Sequence, residues 1–160
     1  MGGVSRTSGR VAWIGRLTGP KGSLARALLR DVVPSFPAVA FTFVGGPVDP
    51  ALAAEAPNNA QLLGFVEDVA GVMRDQDVII GGGRVPLEAM RLGKPVIAVG
   101  EGCYVGPIAK DTIARARATN FGDCAAREPL SPQRLAEDLA ALLRGDAKSA
   151  AQDYPRHASL

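Results

Sequence analysis

The stretch DVIIGGGRVPLEAMRLGKPVIAVG, residues 77–100, concentrates groups suited to holding an anion. Gly81, Gly82 and Gly83 lack a Cβ, so they can take positive φ and let another molecule approach the main chain. PLEAMRL has a proline near its start and the apolar spacing of a helix. Such a helix presents unbonded N–H groups and a partial positive charge at its first turn. Arg84 adds a planar guanidinium at the same mouth, a good match for phosphate or carboxylate. Glu88 adds an acceptor with two oxygens inside the helix. The plain alternative is a tight turn in an α/β domain, which needs one glycine rather than three.

These groups act together only if strands and helices bring them to one place. Apolar runs predict strands at 11–14, 39–44, 61–63, 78–80 and 96–99, with a less apolar one near 118–121. Helical spacing recurs at 22–33, 66–74, 86–92 and 132–143, and more weakly at 50–56. The last long helix carries Ser131 as N-cap and Pro132 at its first position. Strands alternating with helices imply an α/β fold, a doubly wound parallel sheet covered on both faces. In such a sheet, ligands bind beyond the carboxyl ends of the strands, where strand order reverses. The segments after the strands are GRLTGPKG, GGPVDP, GFVED, GGGRVP and GEGCYVG. Arg16 and Lys21 therefore share an edge with Arg84. Each cation alone reads as a solvated surface residue, whereas three beside a glycine turn point to a diphosphate.

The chain has 160 residues and a formal net charge of +2. That length fits one domain, expected over 10–145, with poorly ordered residues 1–9 before it and a flexible or docking tail at 146–160. So small a charge gives no reason to invoke nucleic acid or an acidic membrane. No apolar run approaches the ~20 residues of a membrane span. Cys103 and Cys124 are too few for a zinc cluster and too far apart for a redox pair, which suggests reduced thiols in the cytoplasm. The one histidine, His157, lies in the tail and reads as a surface residue.

Three motifs in order resemble the nucleotide-sugar-binding, C-terminal half of GT-B glycosyltransferases, in particular the retaining group that includes sucrose and glycogen synthase relatives. VAWIGRLTGPKG is similar to that family's GR-x-x-x-x-KG signature. LLGFVEDVAGVMRDQDVII is similar to its G-(Phe/Tyr)-V segment followed by a helix and a strand, and PLEAMRLGKPVIAVG to its L-EAM-A-x-G-x-PVIA block. The match runs from about Val11 to Asp123, and the later ATNFGD also occurs in some members. The resemblance implies a Rossmann-like donor domain whose substrate is a UDP-, GDP- or ADP-linked sugar, with no metal or other cofactor. It implies that Arg16 and Lys21 grip the donor diphosphate and that Glu88 accepts the ribose hydroxyls. It further implies that Gly64, Phe65 and Val66 support the base, and that Gly82, Gly83 and Arg84 meet the phosphates.

Two departures shape the expected function. The family's earlier glutamate, eight positions before Glu88, falls at Ile80. Isoleucine cannot accept a sugar hydroxyl or stabilise charge at the anomeric carbon, so no catalytic residue is assigned. The acceptor half of the fold is also missing, and an N-terminal domain or partner chain is expected to supply it. A non-catalytic module binding a nucleotide or a protein is the main alternative. A dinucleotide-binding domain also remains open, since Gly81-x-Gly83 follows a strand and Glu101 lies near the place of a ribose-binding acid. That pattern lacks its third glycine and has Pro86 where the helix must approach.

Overall fold

The computed structural model describes residues 7–101, 103–123 and 129–146. Six strands form one sheet in the order β3-β2-β1-β4-β5-β6. They are β1 (Gly9–Ile14), β2 (Val39–Val44), β3 (Ala60–Gly64), β4 (Val78–Gly81), β5 (Val96–Val99) and β6 (Tyr104–Pro107). The first five run parallel, as expected of apolar strands joined by helices, whereas β6 runs antiparallel to β5. This is the α/β, Rossmann-like arrangement that the sequence predicts, with one strand added. The chain crosses from β3 back past β1 to β4, so strand order reverses between β1 and β4.

Period-two alternation sorts the strand residues onto two faces. Val11, Trp13, Phe41, Phe43, Ile80 and Ile97 join one apolar cluster with Leu28, Leu135 and Leu139. Ala12, Ile14, Val44, Ile79 and Ala98 join the other with Met73, Met90 and Phe121. Helices α1 (Gly19–Ala27) and α6 (Pro132–Leu143) thus serve the first face, while α3 (Val69–Arg74), α4 (Val85–Arg91) and α5 (Ile113–Ala118) serve the second. The remaining helix is α2 (Pro50–Glu55). No helix of the described residues is long and apolar enough to cross a membrane.

Local chemistry explains most boundaries. Asp49 accepts from the Ala51 amide, Asp68 from the Gly71 amide and Ser131 from the Arg134 amide, so three helices start on the side-chain caps their sequences offer. The helix expected at 22–33 begins earlier, at Gly19. It then changes to a π-helical turn over Leu28–Val32 and a 3-10 turn at Val33–Ser35, where Pro34 supplies no N–H. The strand expected near 118–121 is instead the end of α5 and a turn, in which Asn120 and Phe121 both have positive φ. That turn is stitched by the Phe121 amide donating to the Ala116 carbonyl at 2.7 Å. Residues 1–6, Cys124 and most of the tail, including His157, lie outside the described residues.

Candidate functional site

The turns after β1 and β4 lie on either side of the strand-order reversal. After β1, the chain passes the exposed Arg16 and enters α1, whose first turn holds Lys21. After β4 come Gly82, Gly83 and the exposed Arg84, and then α4 with Glu88 exposed in its first turn. After β3 comes Phe65, which is 78% exposed, the most exposed large apolar residue among those described. An aromatic residue left in water at this edge is available for stacking on a planar ligand. Gly64 ends β3 with a φ of +69°, and its carbonyl accepts from the Gly45 amide at 2.7 Å. Val66 packs partly into the second core cluster, so it supports this segment from beneath.

The glycine turn is filled differently from the way its sequence suggests. Of its three glycines only Gly83 has positive φ, at +61°. All three are needed for close approach, but the approaching atoms belong to the chain itself. A methyl group built on Gly81 would stand 2.8 Å from the Ile14 carbonyl oxygen, and one on Gly82 2.7 Å from that of Val99. On Gly83 it would meet Asp123 Oδ2 at 2.6 Å. The Gly83 amide donates to the Asn120 carbonyl at 3.2 Å, so a phosphate reaching that amide has to displace this contact.

Asp123 is the residue the sequence reading missed. Its Oδ2 lies 3.1 Å from Lys21 Nζ, an ion pair in which the two side chains are 20% and 23% exposed. Its Oδ1 is buried and has no hydrogen-bond partner. The pair ties the first turn of α1 to the turn after α5, which packs on the glycine turn after β4. The available signal was the run NFGD, with an asparagine that tolerates left-handed backbone and a glycine before a carboxylate.

Ile80, where an acidic residue was considered, is fully buried in β4 between Trp13 of β1 and Ile97 of β5. A carboxylate cannot be accommodated there without losing its hydration in the sheet core. Beside Lys21, a polar cavity of about 220 Å³ is lined by Leu17, Thr18, Gly19, Ser23, Arg26 and Asp49. Arg26 closes one side through ion pairs with Asp49 at 3.5 Å and Glu55 at 3.8 Å. Another cavity, of about 330 Å³ at Arg10, Thr42, Gln61 and Gln76, lies on the open sheet face away from the glycine turn. Exposed Arg16 and Arg84, Lys21 and the close-approach glycines all follow the carboxyl ends of strands at the first of these places.

Residues 8–144 match the sequence model for "Glycosyl transferases group 1". Among solved structures the chain is similar to WaaG, a glycosyltransferase involved in lipopolysaccharide biosynthesis, at 22% identity and a TM-score of 0.59, covering 88% of this chain and 39% of that one. It is similar to Anabaena HepE in complex with UDP and glucose at 21% identity and a TM-score of 0.54, covering 92% and 43%. Similarity to the spinosyn rhamnosyltransferase SpnG is 23% identity with a TM-score of 0.56, covering 89% and 39%. The chain spans about two fifths of the length of these structures. No curated protein sequence matches it.

Proposed function

The chain belongs to the group 1 glycosyl transferases, and on that premise we propose that it is the donor-binding half of an enzyme moving a sugar from a nucleoside diphosphate to an acceptor. In this reading it corresponds to the C-terminal half of a retaining GT-B enzyme of the sucrose and glycogen synthase type. The acceptor side comes from an N-terminal domain or a partner chain, and the protein works in the cytoplasm. UDP is the first nucleotide to try, since the HepE structure holds UDP and glucose; GDP and ADP are the other candidates.

The observation that carries this reading is the meeting of Lys21, from the turn after β1, with the glycine turn after β4 through one shared carboxylate. A place that already holds a carboxylate beside an ammonium has the charge and room for a phosphate oxygen. Arg16 and Arg84, exposed on either side, supply further cations. When the bond from the sugar to the diphosphate breaks, negative charge grows on the leaving diphosphate, and fixed cations there lower the barrier. Glu88 accepts from the ribose hydroxyls, and Phe65 with Gly64 and Val66 supports the base. No metal is required in this scheme.

A second reading, a non-catalytic module that keeps the fold and binds a nucleotide or a protein, is favoured by one observation: Ile80 is sealed in the core and offers no group to the donor sugar.

Calorimetric titration of the chain with UDP, GDP, ADP and their glucose conjugates tests the donor reading. Weak binding by at least one of them is expected, between about 1 mM and tens of micromolar, or roughly 4 to 6 kcal/mol. No sugar transfer is expected from this half alone. Absence of heat with every nucleotide supports the non-catalytic, protein-binding module instead.

A further inference from the structure

We propose that Asp123 sets the affinity of the donor site by acting as a resident anion, which an incoming diphosphate must displace from Lys21 and from the glycine turn. The inference rests on the reading of Lys21 as a diphosphate-binding residue.

Several independent observations meet at this carboxylate. Gly82, Gly83 and Gly100 surround it so closely that a methyl group on any of them would lie 2.9, 2.6 or 2.4 Å from a carboxylate oxygen. The turns after β4 and β5 thus leave room for a carboxylate beside their own backbone, and the anion in that room is the chain's own. Lys21 Nζ meets Oδ2 from the opposite side of the strand reversal at 3.1 Å. While that contact lasts, the charge of Lys21 is largely spent on Asp123.

The contact is also poised to open. Oδ1 is buried without a hydrogen-bond donor, an unfavourable state for a charged oxygen that water would relieve. The backbone that carries Asp123 there is strained. Asn120 has a φ of +47° and Phe121, which gains no side-chain hydrogen bond from such a conformation, has +53°. The backbone of the turn is well bonded, with the Asn120, Phe121 and Gly122 amides donating to Arg117, Ala116 and Thr119 at 3.1, 2.7 and 3.2 Å, so the part free to move is the Asp123 side chain, whose one described hydrogen bond comes from Lys21. Movement of the Asp123 side chain away from Lys21 relieves the unpaired oxygen and frees both the ammonium and the space over Gly83.

A residue that merely steadied Lys21 would behave in the opposite way, because its loss would loosen the cation and weaken anion binding. The two roles therefore separate by sign. The wild-type 160-residue chain, Asp123→Asn and Asp123→Ser are titrated with inorganic pyrophosphate, UDP and uridine. Both variants are expected to bind pyrophosphate and UDP five- to tenfold more tightly than wild type, with no change for uridine, which has no phosphate. Unchanged or weaker pyrophosphate and UDP binding in both variants overturns the resident-anion role while leaving the donor site intact. Equal tightening for uridine also overturns it, since the effect would not concern phosphate. Silence of all three proteins towards pyrophosphate and UDP at millimolar concentration overturns both the inference and the donor reading beneath it. Thermal unfolding of the variants shows that each compared protein is folded.

Discussion

Two aspartates, Asp123 and Asp138, are each partly buried and each hydrogen-bonded to a side chain far away in sequence, yet they serve different ends. Asp138, on α6, accepts from the Tyr104 hydroxyl of β6, and Arg134 stacks over the Tyr104 ring at 5.1 Å from its centre. Both ends of that contact stand on regular structure, and the tyrosine body is packed in the first core cluster. Burial, followed by the bond to Asp138, pushes the Tyr104 hydroxyl well above the usual tyrosine range, which keeps it a neutral donor. Asp123 instead sits on a left-handed turn, with one oxygen on Lys21 and the other on nothing. The first arrangement fastens the sheet edge to a helix. The second leaves a charge poorly satisfied at the place where ligands bind in this fold, and such imbalance is typical of functional sites.

The harshest way to break the comparison is to remove the space around Asp123. A methyl group at Gly100 would stand 2.4 Å from the Gly122 carbonyl carbon and 2.5 Å from the Asp123 amide nitrogen. These are backbone atoms that cannot turn aside, so Gly100→Ala is expected to destabilise the chain by about 2–4 kcal/mol. Chemical denaturation measures this directly; a loss below ~0.5 kcal/mol would mean the turn moves freely.

A gentler change separates the two cations nearest the turn. Lys21→Ala removes a charge-assisted contact of roughly 1.5–3 kcal/mol and should weaken UDP binding about tenfold or more. It also strands a carboxylate that is only 20% exposed, with a stability loss of about 1 kcal/mol after allowing for solvent screening. Arg16 is exposed, so Arg16→Ala should weaken binding while leaving stability within about 0.5 kcal/mol of wild type. Equal stability losses in both variants would erase the distinction between them.

The effect at the other aspartate is confined to stability. Tyr104→Phe deletes one hydrogen bond and keeps the ring, so about 1 kcal/mol of stability and no nucleotide affinity should be lost. Because the folded state holds the hydroxyl pKa above its unfolded value near 10, the wild-type contribution is complete below about pH 10. It is lost as pH rises further, and the gap between wild type and Tyr104→Phe narrows there. Denaturation midpoints from pH 8 upward follow this; a gap that widens with pH would contradict the assignment.

The sequence made β4 and β5 legible because VIIG and VIAV are short apolar runs that both faces bury, and β2 because VAFTFV alternates the buried Val39, Phe41 and Phe43 with more exposed residues. It hid β6, whose YVGP run is short, contains Gly106 at a φ of +95° and pairs antiparallel. It also hid α5, where IARARA alternates small apolar and charged residues at a strand-like period. The misreading of 118–121 came from the same source: Ala118 and Phe121 look like a strand, and although Asn120 tolerates left-handed backbone, nothing local announces it at Phe121. In the candidate site, Lys21 and the glycines were recognisable by type. Asp123 was not, because its partner lies 102 positions away and only the sheet brings them together. For Ile80, composition alone could not say whether the position faces ligand or core; pairing with Trp13 and Ile97 answers that.

The central claim is that a nucleoside diphosphate binds along the carboxyl edge of the sheet, across the turns after β1, β3 and β4. Two-dimensional amide NMR of the 15N-labelled chain, titrated with UDP to millimolar concentration, addresses it most directly. The account predicts saturable shifts concentrated at residues 16–21, 64–66 and 82–88, together with 119–123 as Asp123 is displaced. Saturable shifts centred instead on Arg10, Thr42 and Gln76 at the open sheet face, or no shifts at the edge with UDP, GDP or ADP, would contradict it.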